Sequence, residues 1–510
     1  MSLAPIISEQ AFASVQIYDF STIAGLATHS GGTDGTNSAA RFHDPAGVAV
    51  DTNGNVYVAD EYNHIIRKVT LVGTNWVTTT IAGLATHSGT NDGANSDARF
   101  YGPYGVAVDT NGNLYVADEY NHIIRKVTLV GTDWVTTTIA GLATHSGTND
   151  GANSDARFYG PSGIAVDTND NVYVADDNNH TIRKVTLVGT DWVTTTIAGL
   201  ATHSGTNDGA NSDARFYFPM GVAVDTNGNV YVADEVNHTI RKVTLVGTNW
   251  VTTTIAGSAG NPGSVDGTNG TARFNSPAGV AADSGGNLYV ADEYNHIIRK
   301  VTPVGPNWVT TTIGGLALNP GSTDGTNSTA LFNSPYGVTV DANGKLYVAD
   351  TYNDTIRLGV PWGTLTINKE TAKLNFAKTN ACSCTLTATL DLDATYDLTN
   401  KLVSLDIGGA DASFTLDAKG KGHGAGTNGT SGTCKLSYKK KTGPWTFTAK
   451  LKNGPWITPW AAYGLSNTTT TVKAGVPVTL PVTLVIGDDG FIGEKALLYK
   501  AKTGKSGNAK

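Results

Sequence analysis

Apolar and polar residues alternate with a period of two through much of the first 360 residues. In one stretch, Gly47 to Asp51 reads Gly-Val-Ala-Val-Asp and Val56 to Ala59 reads Val-Tyr-Val-Ala. Two more alternating runs follow, from Ile65 to Leu71 and from Trp76 to Ile81. This period places successive side chains on opposite faces of a strand. Because an Asn-Gly pair, typical of a hairpin turn, separates the first two runs, the pattern predicts four antiparallel strands.

The four-strand pattern recurs at a fixed interval of 58 residues. The Asp that ends the first strand marks each repeat, at Asp51, Asp109, Asp167, Asp225, Asp283 and Asp341. No repeat contains the 3.6-residue period of a helix, which excludes a helical solenoid. Six four-stranded units in tandem predict a six-bladed β-propeller, in which neighbouring blades bury each other's apolar faces.

The repeated segment also resembles a known family. The run GVAVDTNGNVYVADEYNHIIRKV, from Gly47 to Val69, resembles the NHL repeat, and the likeness extends over residues 15–360. These units are longer than the common repeat, with the extra residues between Gly83 and Pro103 and at the equivalent places. The resemblance implies a six-bladed NHL propeller of the kind found in secreted bacterial proteins.

The two ends of the repeat region complement each other. The sixth unit stops after its third strand, at Val360, whereas the segment Tyr18 to Gly25 aligns with Trp76 to Gly83 at the 58-residue offset. We therefore expect this N-terminal segment to supply the outer strand of the last blade, which closes the ring and removes an unpaired sheet edge. Residues 1–14 are then a tail, and residues 15–360 are the propeller.

The composition changes beyond residue 360. Residues 361–510 contain 18 Lys, no Arg and 10 Asp plus Glu, although the whole chain has a net charge of −8. The segments at about 365–430 and 431–510 resemble each other, which predicts a duplicated, β-sandwich-like domain. The overall expectation is an all-β chain, with four-stranded propeller blades followed by this smaller domain. Three cysteines, Cys382, Cys384 and Cys434, allow one disulfide or free thiols.

Composition restricts the function classes. The chain has no apolar run long enough for a transmembrane helix. The acidic propeller argues against nucleic acid as a partner. Residues Met1 to Phe12 lack the basic and apolar regions of a signal peptide. We nevertheless expect an extracellular, cell-surface or periplasmic protein, whose leader is not present in this chain, because the composition resembles that of secreted propellers.

Two adjacent acidic positions in each unit would form two rings of carboxylates, and both rings are candidate cation sites. The first ring consists of the Asp that follows the second strand of each unit. The second ring consists of the next residue along the chain: Glu61, Glu119, Asp177, Glu235 and Glu293, with Thr351 in the last unit. Calcium is the ion that oxygen ligands would favour. The alternative, which we prefer, is that the first ring caps turns and pairs with the repeated arginines. The first ring supplies the weak metal candidates Asp60, Asp118, Asp176, Asp234, Asp292 and Asp350.

Two other repeated groups have structural explanations that we favour over metal binding. His64 and its equivalents recur in the turn after the second strand, and Asp34 and its equivalents recur in the long loops. A metal site in the funnel needs different ligands that converge from several blades, whereas the histidines are simply duplicated. A calcium loop usually supplies several carboxylates, whereas each long loop offers only one or two. We therefore expect no cofactor, and the sequence contains no nucleophile elbow, phosphate-binding loop or zinc-protease motif.

The differences between nearly identical units suggest a binding face. Radical substitutions occur where the first strand begins and in the turn after the second strand, and both places open on the face that carries the long loops. A variable face on a constant scaffold favours partner binding, although neutral drift in loops explains it as well. Aromatic and Met side chains there are candidate contacts or a plug of the channel: Tyr104, Tyr120, Phe218, Met220, Tyr294 and Tyr336.

These observations lead to three functional hypotheses. The first is a non-catalytic propeller that binds a protein or glycan partner through the long-loop face. The second is a metal-dependent lyase or hydrolase, as in other six-bladed propellers. The third is an architectural module of a surface assembly. Near-identical blades weigh against the enzyme, because a reaction centre needs an asymmetric set of groups.

Overall fold

A computed structural model describes residues 16–364 and, beyond them, a set of strands up to residue 509. The chain divides into two compact units, of which one is Tyr18–Pro361 and the other includes Trp362–Lys510. The first unit consists of six antiparallel sheets, one for each repeat, and is a six-bladed β-propeller. No helix among the described residues has the length and apolar character needed to cross a bilayer.

Each blade runs from an innermost to an outermost strand. The innermost strands are Pro45–Val50, Pro103–Val108, Pro161–Val166, Pro219–Val224, Pro277–Ala282 and Pro335–Val340. The second strands are Val56–Asp60, Leu114–Asp118, Val172–Asp176, Val230–Asp234, Leu288–Asp292 and Leu346–Asp350. The third strands are Ile65–Val72, Ile123–Val130, Thr181–Val188, Thr239–Val246, Ile297–Val304 and Thr355–Pro361. The fourth strands are Asn75–Gly83, Asp133–Ala140, Asp191–Ala198, Asn249–Gly257, Asn307–Gly314 and, for the last blade, Tyr18–Gly25.

A fifth strand distinguishes the blades from the four-stranded pattern that the sequence predicts. These strands are Gly35–Thr36, Gly93–Ala94, Gly151–Ala152, Gly209–Ala210, Gly267–Thr268 and Gly325–Thr326. In the second blade, side chains on either side of Gly93–Ala94 hold it against the fourth strand. Asn95 Oδ1 accepts the backbone N–H of Trp134 at 2.8 Å, and Asp92 accepts that of Thr138 at 3.0 Å. The long loops thus fold back and add an outer edge strand to each blade. A strand of only two residues has no apolar–polar alternation, so the sequence pattern does not reveal it.

Short 3-10 helices lie in the connections. One set follows the fifth strands: Asn37–Ala39, Asn95–Asp97, Asn153–Asp155, Asn211–Asp213, Asn269–Thr271 and Asn327–Thr329. The other set follows the second strands in five blades: Glu61–Asn63, Glu119–Asn121, Asp177–Asn179, Glu293–Asn295 and Thr351–Asn353. Both connections emerge on the long-loop face, because the fourth-to-first and second-to-third connections of an up-and-down blade share one side.

The N-terminal strand closes the ring. Tyr18–Gly25 pairs antiparallel with Thr355–Pro361, from Tyr18 opposite Pro361 to Gly25 opposite Thr355. Phe20 is fully buried and meets Phe332 edge to face, with ring centroids 5.1 Å apart. Main-chain hydrogen bonds and an aromatic core contact therefore join the first and last parts of the propeller.

The hydrophobic core lies between the blades. In one cluster, Tyr57 and Ile66 of the first blade pack with Phe100, Val106 and Leu114 of the second, all of them buried. Similar clusters occupy the other interfaces. Because each blade buries the face of the next, the ring becomes a continuous core only when it is complete.

The described strands of the other unit form one sheet. Their bounds are Gly363–Thr364, Thr366–Leu374, Cys382–Leu390, Leu402–Ile407, Ala410–Leu416, Lys421–Ala425, Ser431–Lys439, Gly443–Gly454, Val476–Ile486, Asp489–Lys500 and Gly507–Ala509. The sandwich-like arrangement and the internal duplication, which also involve residues outside those described, stay predictions. The same holds for the tail at residues 1–14.

Candidate functional site

The innermost strands line an axial channel. At the third residue of each strand the neighbouring blades approach so closely that only glycine fits. A Cβ on Gly105, for example, would lie 2.3 Å from the backbone oxygen of Ser162 in the next blade. Inside the channel, a cavity that opens to solvent is lined by Val48, Val106, Ile164, Val222, Val280 and Val338 and by the glycines that precede them.

The residue before each of these glycines lies at the mouth of the cavity. This position holds Ala46, Tyr104, Met220, Ala278 and Tyr336, which line the cavity, and Ser162, which is buried and donates to the Met220 backbone oxygen at 3.0 Å. The Tyr104 hydroxyl donates to the Met220 sulfur at 3.3 Å across the channel, and the Tyr104 and Tyr336 rings lie 6.0 Å apart. Burial raises the pKa of Tyr104 well above its usual value. Three of the six candidate contact residues therefore meet across the mouth. This arrangement corresponds to the alternative prediction, in which these side chains plug the channel.

The other three candidates lie around this mouth. Tyr120 and Tyr294 are exposed, at 40% and 52% of their surface. Phe218 is half-buried beside His180, with ring centroids 4.9 Å apart. Its φ of +53° is in the left-handed region that bulky residues rarely adopt. The six candidates thus form a central group of three and a peripheral group of three.

The widest group of exposed aromatic residues extends beyond the six predicted candidates. In the second blade, Tyr101 packs edge to face on Tyr120 with centroids 5.1 Å apart. Three successive units carry Tyr directly after the repeated core Phe, and this repetition is the sequence signal for the group. Tyrosines in the two connections of the long-loop face expose between 37% and 52% of their surface: Tyr62, Tyr101, Tyr120, Tyr159, Tyr217, Tyr294 and Tyr352.

The second carboxylate ring surrounds the same mouth. Three of its side chains bond to a residue of the next blade. Tyr120 donates to Glu61 Oε1 at 3.3 Å, Ser276 bonds to Glu235 and Tyr336 bonds to Glu293. In contrast, Asp177 Oδ1 is buried without a hydrogen-bond partner among the described residues. The ring therefore differs from blade to blade, although its residues arose at equivalent positions.

Burial and mutual repulsion raise the pKa values of these carboxyl groups. Burial comes first, followed by the negative charge of neighbouring ring members, and together they raise the pKa of Glu119 and of Asp177 to about 8. The pKa of Glu293 rises to about 8 for the same reasons. For Glu61, burial and Asp44 raise the pKa to about 7. The ring carboxyl groups therefore keep their protons to a higher pH than ordinary Glu and Asp side chains do.

The first carboxylate ring is tied up in ion pairs. Asp118 is fully buried and its Oδ2 accepts from Arg125 Nη1 at 2.8 Å and from Asn121 at 2.9 Å. Its Oδ1 accepts the backbone N–H of Tyr101 at 2.8 Å. The same Asp-to-Arg pair recurs for Asp60, Asp176, Asp234, Asp292 and Asp350. With both oxygens engaged by protein donors, these candidates have a structural role that explains their repetition.

The loop aspartates complete this network. Arg125 Nη2 donates to Asp92 Oδ1 at 2.8 Å, while the guanidinium lies 5.0 Å from the centre of the Phe100 ring. The same arrangement occurs at Asp34, Asp150, Asp208, Asp266 and Asp324. Within the described part of the chain, no three His, Cys, Asp or Glu residues are grouped so as to hold a metal ion.

The repeated histidines connect neighbouring blades. His122 Nδ1 is 3.2 Å from the backbone nitrogen of Gly160 in the next blade and accepts its N–H. The same bond is made by His64, His180, His238 and His296. In the last blade, Asp354 takes this role and accepts the N–H of Asp44 at 3.0 Å. Burial lowers the pKa of these histidines, which favours the neutral ring that such an acceptor needs.

Fold and site together define a six-bladed β-propeller whose channel opens among tyrosines and carboxylates on the long-loop face. The NHL repeat model matches six segments of the chain, at residues 42–68, 100–126, 158–185, 216–243, 274–300 and 332–357. The propeller is therefore built from six NHL repeats.

Similar proteins agree with this assignment. The chain is 30% identical over 343 residues to NHL repeat-containing protein 2 of Gallus gallus, which covers 62% of this chain and 46% of that protein. The chain thus spans less than half the length of the curated relatives that it matches. A protein of unknown function from Bacteroides thetaiotaomicron has the same fold, with 21% identity, a TM-score of 0.52, and coverage of 68% of this chain and 76% of that one. An auxiliary nutrient binding protein from the same bacterium has a TM-score of 0.50 at 17% identity, with the same coverage.

Proposed function

We propose that this protein is a non-catalytic, extracytoplasmic propeller that binds a glycan or protein partner on its long-loop face. The observation that carries this proposal is the set of exposed tyrosines around the channel mouth. An exposed tyrosine offers a large apolar ring and a hydroxyl at a low cost in conformational entropy, which makes it a frequent anchor at interfaces. A location outside the cytoplasm is proposed from composition and from the resemblance to secreted propellers.

The distribution of differences between blades supports binding on this face. Residues that build the blade, such as Asp118, Arg125 and Phe100, recur in all six units, whereas the mouth and its surroundings vary. Tyr101 and Tyr159 are exposed at 45% and 46%, and their rings contribute to no buried cluster. Each ring makes one edge-to-face contact with a histidine of the preceding blade, His64 for Tyr101 and His122 for Tyr159, and leaves nearly half of its surface exposed. We assign that exposed part to contact with a partner. That a propeller of similar fold is described as a nutrient binding protein is consistent with this type of function.

The test compares two double variants of the whole chain. Tyr101→Ala with Tyr159→Ala removes two exposed rings and leaves the carboxylates and the backbone N–H bonds in place. The matched control, Leu129→Ala with Leu187→Ala, removes two side chains that are about equally exposed, at 51% each, on the opposite face. Each protein is applied to a glycan array and to immobilised extracellular proteins of the source organism.

We expect the tyrosine variant to lose most of the signal that the parent gives and the control to keep it. Binding to glycans alone identifies a carbohydrate partner, and binding to polypeptides alone identifies a protein partner. Equal binding by the parent and the tyrosine variant would contradict the proposal for this face.

A further inference from the structure

Two connections meet at one point on the long-loop face of every blade. The second residue of the turn after the second strand donates its backbone N–H to the residue two positions before the innermost strand. In the second blade, the nitrogen of Tyr120 is 3.1 Å from the oxygen of Tyr101. We call the six pairs joined in this way the collar. The other five bonds are 3.1 or 3.2 Å long and run from Tyr62 to His43, Asn178 to Tyr159, Val236 to Tyr217, Tyr294 to Asn275 and Tyr352 to Asn333.

Every collar pair contains at least one tyrosine, although the position that supplies it changes around the ring. The second, third and fourth blades carry tyrosine before the innermost strand. The fifth, sixth, first and second blades carry it in the turn. Where one position lacks tyrosine, its hydrogen-bonded partner has it. All six blades therefore present an exposed tyrosine at the same place, with between 37% and 52% of its surface open to solvent.

Bonds between blades join the six pairs into a closed ring. His64, which ends the turn of the first blade, accepts the N–H of Gly102 in the second blade at 3.2 Å. Its imidazole also packs edge to face on the Tyr101 ring, with centroids 5.5 Å apart. The equivalent bonds are 3.0–3.3 Å long and are made by His122, His180, His238, His296 and Asp354. Because the backbone below the tyrosines is held within and between blades, a ligand would order little of it on binding.

The surroundings of the collar tyrosines are polar and contain no basic side chain. In the pairs with one tyrosine the partner is His43, Asn178, Asn275 or Asn333, and only Val236 is apolar. Neither Lys nor Arg occurs at a collar position or directly beside one, whereas an acidic residue precedes the turn position in five blades. The core of a protein–protein interface is depleted in charged residues. Amide and carboxylate oxygens, in contrast, accept hydrogen bonds from hydroxyl groups, and the lack of positive charge disfavours an anionic ligand.

We propose that the collar binds a neutral oligosaccharide chain, whose sugar rings stack on the tyrosines of several blades. This inference rests on the proposed function and names the class of its partner. A sugar ring has a face of C–H groups that fits an aromatic ring, and hydroxyl groups at its edge that fit the amide and carboxylate acceptors. One half-exposed tyrosine offers only a small contact area. Because equivalent places recur from blade to blade, a chain that reaches several of them binds as a multivalent ligand.

The experiment measures, by calorimetry on the whole protein, the affinity for hexasaccharides and for the disaccharides of the same sugars. The neutral probes are maltohexaose, cellohexaose, xylohexaose and mannohexaose, and the anionic probe is the hexamer of galacturonic acid. The alanine variant combines Tyr62→Ala, Tyr159→Ala, Tyr217→Ala and Tyr294→Ala, one from each of four blades. The matched control replaces the same four residues by phenylalanine, which keeps each aromatic ring and removes only its hydroxyl.

We expect at least one neutral hexamer to bind the parent at least about tenfold more tightly than its disaccharide, because the longer chain reaches more collar tyrosines. The phenylalanine control should bind this hexamer within about threefold of the parent, since stacking needs the ring and not the hydroxyl. The alanine variant should bind it at least about tenfold more weakly and should no longer distinguish it from the disaccharide. The galacturonic acid hexamer should bind the parent more weakly than the neutral one.

Four results would overturn the inference: no binding of any neutral hexamer, equal affinity for each hexamer and its disaccharide, tighter binding of the galacturonic acid hexamer, or unchanged binding by the alanine variant. The proposed function is tested separately by the capture of extracellular proteins. Capture that depends on the tyrosines, without binding of any neutral hexamer, contradicts this inference and leaves the binding face in place. If removal of the tyrosines changes the binding of neither glycans nor proteins, both proposals fail.

Discussion

Asp118 and Glu119 are neighbours in the chain, yet their carboxylates have opposite environments. Asp118 is enclosed by donors of its own blade and paired with Arg125. Glu119 is largely buried, the charges of Glu61 and Asp177 raise its pKa, and it belongs to no ion pair among the described residues. The first position is Asp in all six blades, whereas the second is Glu, Asp or Thr. The Asp whose hydrogen bonds are made within its own blade is the same in all six units, whereas the acidic residue that interacts with other blades differs between units.

The largest expected effect is the loss of one partner from an ion pair of the first carboxylate ring. Asp118→Ala leaves Arg125 buried and without its carboxylate, and a broken buried pair typically costs about 3–5 kcal/mol. Denaturant unfolding of the parent, Asp118→Ala and the exposed control Asp97→Ala measures the loss. The control should change stability by less than about 0.5 kcal/mol. Similar curves for all three proteins would show that the network does not stabilise the blade.

A second test exchanges residues between variable positions. Gly102 has a Cβ position only 2.5 Å from the Tyr120 ring, whereas the fourth blade accommodates Phe218 beside the smaller Val236. Gly102→Phe should therefore destabilise the protein by about 2 kcal/mol. Adding Tyr120→Val should restore at least about 1 kcal/mol of this, measured as a double-mutant cycle with Tyr120→Val alone. Strict additivity would show that the two positions are independent.

The charge of the second carboxylate ring provides the third test. Because the folded pKa of Glu119, about 8, lies above the ordinary value of 4.5, the folded state binds more protons than the unfolded state between these values. The stabilisation that this carboxyl group contributes to the folded protein is thus fully present below pH 4.5 and is lost as the pH rises through about 8. Glu119→Gln should stabilise the protein by about 1–2 kcal/mol above pH 8 and by almost nothing below pH 4.5. A gain that does not depend on pH would contradict the repulsion.

The contrast between contacts within a blade and contacts between blades also explains which features the sequence predicts. The alternation of Val56 to Ala59 and the fixed spacing of Asp51 and its equivalents predict blades and their number, because these signals lie within one repeat. The role of Asp60 was also predictable, since Arg67 recurs with it. The outer strand Gly93–Ala94 has no alternation to detect. The convergence of Glu119 with Glu61 depends on the geometry between blades, which no single repeat contains.

The smallest expected effect concerns the histidines that connect the blades. His122 Nδ1 accepts an N–H only while the ring is neutral, and burial lowers its folded pKa below the ordinary 6.5. The unfolded state then binds more protons as pH falls below 6.5. The contribution of His122 is therefore complete above that pH and is lost as pH falls through the folded pKa, opposite in direction to Glu119.

His122→Asn tests this argument, because Asn tolerates the positive φ of +60° at this position and offers an amide oxygen that does not titrate. Asp354 shows that a side-chain oxygen is able to take the same role in the last blade. Parent and variant should have nearly equal stability above pH 6.5. As pH falls, the parent should lose up to about 1 kcal/mol relative to the variant, the value of one hydrogen bond. Parallel pH curves would mean that the imidazole is not the acceptor that joins these blades.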